Sequence, residues 1–140
     1  MKIALSTTRL IDFDGKEKPL DGIGQYTKML AACIKDSGNN AQYYYFRNIK
    51  EFKRQQYGHH IFSTQPFNLY SCLLPRQMQL HKLIESQADL FHSTDYLIPR
   101  LKNTPVVATL HDAIMFKHLD MIGYRLRRLK NYCLKQSAQW

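Results

Sequence analysis

Asp21-Gly22-Ile23-Gly24-Gln25-Tyr26 opens a helix behind two closely spaced glycines, and it follows an apolar strand, Ile3-Ala4-Leu5, across a long polar loop. Strand, loop, glycines and helix, in that order, bring backbone N–H groups and the positive end of a helix to face an anion. Glycine suits the place because a side chain there would block the close approach of a ligand. The expected anion is a phosphate or diphosphate. On spacing alone, a glycine-rich helix start with no ligand fits equally well. The dinucleotide fingerprint G-x-G-x-x-G fails at Thr27, the preceding loop is too long for its tight turn, and no G-x-x-x-x-G-K phosphate loop is present.

Outward from this point, strands and helices alternate. Residues 2–6 form the short first strand. The helix covers residues 22–36, with Ile23, Tyr26, Leu30, Cys33 and Ile34 expected on one face, and Ser37-Gly38-Asn39-Asn40 supplies its stop. The aromatic run from Ala41 to Phe46 reads as a strand. Residues 50–74 are irregular apart from a short strand at His60-Ile61-Phe62. Pro75 starts a helix that carries Leu80, Leu83 and Ile84 to about Gln87. Ala88 to Ser93 and Thr104 to Leu110 are strands, the second being the clearest in the chain. A last helix spans roughly 121–138, with Ile122, Leu126, Leu129 and Cys133 on one stripe and Arg127, Arg128 and Lys135 facing away. Its charged face reads as ordinary solvated surface, or as a basic surface for an anionic membrane.

Alternating strands and helices imply an α/β fold with a Rossmann-like parallel sheet covered by helices on both faces. Ligands of such sheets bind beyond the carboxyl ends of the strands. That rule gathers three places on one edge: the loop after Ser6, His92 at the end of Asp89-Leu90-Phe91-His92-Ser93, and His111 after Pro105-Val106-Val107-Ala108-Thr109-Leu110. A histidine leaving a buried strand can bind a sugar hydroxyl or a phosphate, or simply satisfy a loop. Beside His111, Asp112 can orient the imidazole or accept a hydrogen bond from a hydroxyl, or it can cap the turn after the strand.

The chain-wide numbers narrow the class. At 140 residues and 44% hydrophobic, the chain is long and apolar enough for one folded domain with a real core. No apolar run reaches the length of a membrane span. The first residues carry no cleavage pattern, so they read as the first strand of a cytoplasmic protein. Cys33, Cys72 and Cys133 are far apart, which fits reduced thiols, and neither they nor His59-His60 show metal spacing; no metal or other cofactor is expected. The net charge of +9 is concentrated in residues 41–60 and 101–140 and favours phosphorylated ligands, anionic membranes or nucleic acid without choosing among them. No G-x-S-x-G elbow and no carboxylate pair with hydrolase spacing is found. The chain stops within a helical pattern at Gln139-Trp140, which reads as a boundary drawn through a longer protein.

Three segments, taken in order, are similar to one family. Gly22-Ile23-Gly24-Gln25-Tyr26-Thr27-Lys28-Met29-Leu30 resembles the G-I-G-R-Y-x-x-x-L helix start of glycosyltransferase family 4. Asp89-Leu90-Phe91-His92-Ser93 resembles its D-(hydrophobic)-(hydrophobic)-H strand end, and Pro105 to Asp112 resembles its P-V-V-x-T-(hydrophobic)-H-D strand. The resemblance implies the N-terminal, acceptor-side half of a GT-B fold, with residues 1–140 forming most of that domain and the donor-binding C-terminal domain lying outside them. The implied activity is transfer of a sugar from a nucleotide-sugar donor to a glycan or lipid-linked acceptor, with retention at the anomeric carbon and no metal. It implies that Gly22 and Gly24 approach the donor diphosphate, that His111 acts as the catalytic residue near the donor sugar, and that His92 and Asp112 line the cleft on the acceptor side. Gln25 departs from the family pattern, where arginine is common. Transfer by these residues alone, without the second domain, is not expected.

Two other classes stand beside the enzyme. One is a basic Rossmann-like module that binds a nucleotide or nucleic acid without catalysis; the nine tyrosines and seven phenylalanines could stack bases, yet they form no aromatic-basic stripe and no nucleic-acid motif occurs. The other is a structural partner domain that exposes an apolar face. No nucleic-acid partner is expected under the enzyme reading.

Overall fold

A computed structural model describes residues 1–10, 19–46, 60–62, 78–112, 117–118 and 127–137. Among the described residues, five strands and three helices follow one another: β1 (Lys2–Ser6), α1 (Gly22–Asp36), β2 (Asn40–Phe46), β3 (His60–Phe62), α2 (Met78–Gln87), β4 (Leu90–Ser93), β5 (Val106–Ala108) and α3 (Arg127–Ser137). The strands form one sheet in the order β3-β2-β1-β4-β5, and every pairing is parallel. This is the α/β, Rossmann-like sheet that the alternation predicts. From β1 the chain builds outward through β2 and β3, then returns to the other side of β1 with β4. The order therefore reverses between β1 and β4, the place where open α/β sheets hold ligands.

Parallel register sorts side chains by face. Ile3 and Leu5 pair with Ala41 and Tyr43 and pack against Leu30, Ala31 and Ile34 of α1. Ala4 lies on the opposite face, in a cluster with Tyr44, Ile84, Ala88 and Phe91, onto which Leu97, Leu101 and Val106 pack. Because both faces are covered, four consecutive residues of β1, from Ile3 to Ser6, are buried, with no polar alternation. The phenol of Tyr44 sits inside this second layer, with Phe91 edge-on at a centroid separation of 6.1 Å. Its hydroxyl is within 3.2 Å of Oε1 of both Gln42 and Gln87, and burial pushes its pKa up to about 12.

Several boundaries differ from the sequence expectation. Thr104–Leu110, the clearest strand by pattern, is a strand only at Val106–Ala108. Among the described strands it pairs only with β4, which has four residues, and Pro105 has no N–H to extend the ladder. Ala88 and Asp89 are not strand either: the Ala88 N–H still bonds Ile84 of the helix, and Asp89 turns the chain by exchanging hydrogen bonds with Lys2. In α1 the inward stripe is Gly24, Thr27 and Ile34, while Cys33 is exposed. The α1 stop is as expected, with Ser37 at the cap and Gly38 at φ 73, a left-handed position that favours glycine. In α3 the expected inward Leu129 is exposed and Asn131 is buried instead. The expected stripe assumed a helix running from 121; residues 119–126, like Pro75, Cys72 and most of 50–74, lie outside the described residues.

Candidate functional site

Register decides which strand-end side chains meet. His92 of β4 lies beside Leu5 of β1 on one side and Val107 of β5 on the other, so all three belong to the α1 face. Two residues further, Thr109 returns to that face, and its N–H anchors the backbone to Ser93 O at 2.9 Å. The Thr109 hydroxyl then sits 3.0 Å from Nε2 of His92 and 3.0 Å from the hydroxyl of Tyr26 on α1. Another two residues along, His111 places its ring 5.1 Å from that of Tyr26, edge-on at 78°. Its Nε2 lies 2.9 Å from the carbonyl oxygen of Thr94, in the turn after β4. The structure thus brings His92 and His111 to one cluster at the carboxyl edge, joined through Tyr26 and Thr109.

The hydrogen bonds constrain the chemistry of each ring. A carbonyl only accepts, so His111 donates from Nε2 and its neutral form keeps a lone pair on Nδ1. His111 is an exposed residue. His92 is half-buried, and desolvation lowers its pKa, which keeps it neutral near pH 7. The turns that carry these groups are tied together. Thr94 donates its hydroxyl to Ser6 O at 2.8 Å, Ser93 donates to the carbonyls of Asp95 and Leu97, and Asp95 receives the Leu97 N–H at 3.0 Å. Ser6, Thr7, Thr8, Ser93 and Thr94 are all buried, so the strand-order reversal between β1 and β4 is floored by hydroxyls already in use.

The two glycines of α1 behave differently. Asp21 is the N-cap: its Oδ1 accepts the Gly24 N–H at 2.7 Å. A Cβ on Gly24 would lie 3.0 Å from Leu20 Cδ2 and 3.3 Å from Asp21 Oδ1. Gly24 is therefore glycine because Leu20 and the cap pack against it, and its amide is spent on a carboxylate rather than offered to a ligand. A Cβ on Gly22 would meet nothing within 4 Å, so Gly22 is the one with open space in front of it. Arg9 lies 3.9 Å from the other Asp21 oxygen, a partly exposed pair of little energetic weight.

Asp112 is exposed and stands beside the phenol of Tyr96, whose pKa is raised by burial first and by the Asp112 charge second. The contact that orients the His111 ring is the Thr94 carbonyl. Among the described residues no group of three or more His, Cys, Asp or Glu is arranged to hold a metal, and no helix is long and apolar enough to cross a membrane. A separate groove of about 530 Å³ runs along Val106, Ala108 and Leu110, the residues that alternate with Val107 and Thr109, with Arg100 and Lys102 also lining it. None of the expected site residues lines it.

Sequence reading does not single out Thr109 or the phenol of Tyr26. The signal was present in the two-residue period Val107, Thr109, His111, which assigns all three to one face. Tyr26 shares a helical face with Ile23 and Leu30 in the sequence pattern, and its hydroxyl reaches that of Thr109 beyond β5. Comparison with protein-family models, with curated proteins and with solved structures found no match to this chain.

Proposed function

We propose that this chain is the acceptor-side domain of a retaining glycosyltransferase that moves a sugar from a nucleotide-sugar donor to a glycan or lipid-linked acceptor. The observation that carries the reading is the convergence of His92, Thr109, His111 and Tyr26 at the carboxyl edge, beside the reversal of strand order. Motifs separated by most of the chain meet there, as the resemblance to glycosyltransferase family 4 requires. In this reading His111 accepts a hydrogen bond from a hydroxyl of the transferred sugar through Nδ1, with its ring set by the Thr94 carbonyl. His92 and Asp112 stand on the acceptor side. The start of α1 adds a positive end near the donor diphosphate, with Gly22 the open position. The reaction needs no protein nucleophile from these residues. It would run in the cytoplasm, with the basic surface of the chain favouring the inner, anionic face of a membrane. A second domain outside these residues would bind the donor nucleotide and form the other wall of the cleft.

The test is steady-state kinetics on the protein that joins this domain to its donor-binding partner, using a panel of labelled nucleotide-sugars. His111→Ala should lower kcat strongly with little change in donor affinity, because it removes an interaction made mainly in the transition state. His92→Ala should raise the apparent KM for the acceptor. Normal kcat in a folded His111→Ala protein would make this histidine a structural one. Failure of every nucleotide-sugar to give product, with steeply salt-dependent oligonucleotide binding instead, would favour the non-catalytic module.

A further inference from the structure

His111 and His92 lie at the same edge, yet their ring nitrogens meet opposite kinds of partner. The His111 partner is a carbonyl, so its Nε2 carries the proton. The His92 partner is the Thr109 hydroxyl, which can give or receive. The second neighbour of that hydroxyl decides the direction. Tyr26 also lies 3.0 Å from Thr109 Oγ1. A phenol is a better donor than an aliphatic alcohol, and a neutral imidazole nitrogen is a better acceptor than a phenol oxygen. The arrangement that uses each group in its stronger sense runs one way: Tyr26 donates to Thr109, and Thr109 donates to His92 Nε2. Successive donors in one direction polarise one another, which strengthens this order over the reverse.

We propose that Thr109 is a positioning residue that holds His92 as its Nδ1–H tautomer, so that the two strand-end histidines offer opposite hydrogen-bonding capacity: a donor at His92 and an acceptor at His111. That pairing suits a neutral polyhydroxyl ligand, whose hydroxyls can accept from one ring and donate to the other. An anion would use only the donor. Burial, which keeps His92 neutral, preserves the acceptor nitrogen on which the chain ends. The inference of ligand class rests on the transferase reading, while the tautomers rest on geometry alone.

Long-range proton–nitrogen spectra of the full 140-residue chain, labelled with nitrogen-15 at histidine and recorded above both imidazole transitions, read the tautomers directly. His92 should show the Nδ1–H pattern and His111 the Nε2–H pattern. Thr109→Val should move His92 to mainly Nε2–H, the form free imidazoles favour in water, and leave His111 unchanged. Thr109→Ser should restore Nδ1–H. Should Thr109→Val fail to fold, the wild-type spectrum and Thr109→Ser decide the matter. A wild-type His92 in the Nε2–H form, or one that ignores a folded Thr109→Val change, would overturn the proposal. Adding methyl glucoside should perturb both rings more than inorganic phosphate does at the same concentration; the opposite order would overturn the ligand class. The expected tautomers, with no sugar transfer by the protein that joins this domain to its donor-binding partner, would sink the transferase reading alone, and transfer by that protein with His92 in the Nε2–H form would sink this one alone.

Discussion

The start of α1 and the ends of β4 and β5 both carry motif residues, but one is closed on itself and the other is open. At the helix start, Asp21 takes the Gly24 N–H and Leu20 packs over the same glycine. A carboxylate already occupies the anion's place at the third amide. At the strand ends, His92 and His111 each spend one ring nitrogen on holding position, and His111 remains exposed. The difference teaches that a glycine pair before a helix is not by itself a phosphate cradle. Here the residue before the pair is an aspartate, and it takes the Gly24 amide.

Changes at the helix start give the largest effects by which this contrast can be broken. Gly24→Val should destabilise the fold by about 1–3 kcal/mol, since its branches enter space held by Leu20 and the Asp21 cap. Urea unfolding measures this, and an unchanged midpoint would show that Gly24 is free for a ligand after all. Asp21→Ala should cost about 1 kcal/mol through loss of the cap. It also removes a negative charge, so nucleoside diphosphate should perturb the amide signals of residues 22–24 more strongly than in the unaltered chain. No gain in that response would mean that the helix start does not face the ligand.

The smaller effects test the open positions. Gly22→Ala should be neutral or stabilising by about 0.5–1 kcal/mol, because helical backbone at an unobstructed site favours alanine. If Gly22 is where the diphosphate approaches, the same change weakens nucleoside diphosphate binding without loss of stability; clear destabilisation would place Gly22 with Gly24 as a packing residue. The smallest effect is the pH dependence contributed by His92. Its folded pKa lies below the ordinary value of about 6.5, so the unfolded chain takes up the proton first. The stability it contributes is complete above about 6.5 and is lost as pH falls from there through the lower folded value. His92→Gln should flatten this part of the stability–pH curve, and an unaltered slope would show that another group sets it.

Much of the layout could be read from residue order. The alternation of strand and helix, the turn at Ser37-Gly38 and the placing of His92 near the end of one strand and of His111 after another all follow from local periodicity and turn chemistry. The three-residue length of β5 did not follow, because a strand is only as long as the neighbour that completes its ladder. The inward stripes of α1 and α3 were only partly legible, since a helical period names a face but not which of two adjoining stripes meets the sheet.

What the sequence by itself determined is the α/β class and the residues that leave the carboxyl ends of the strands, because both depend on contacts between near neighbours along the chain. What only the tertiary structure decided is which of those residues meet. His92 and Thr109 are 17 positions apart and Tyr26 and Thr109 are 83 apart. Parallel register across β1, β4 and β5, together with the docking of α1 on one face of the sheet, closes those separations to hydrogen-bond distance. At the helix start, likewise, the tertiary structure decided that Leu20 and Asp21 pack around Gly24, since the chain leading into α1 folds back over it.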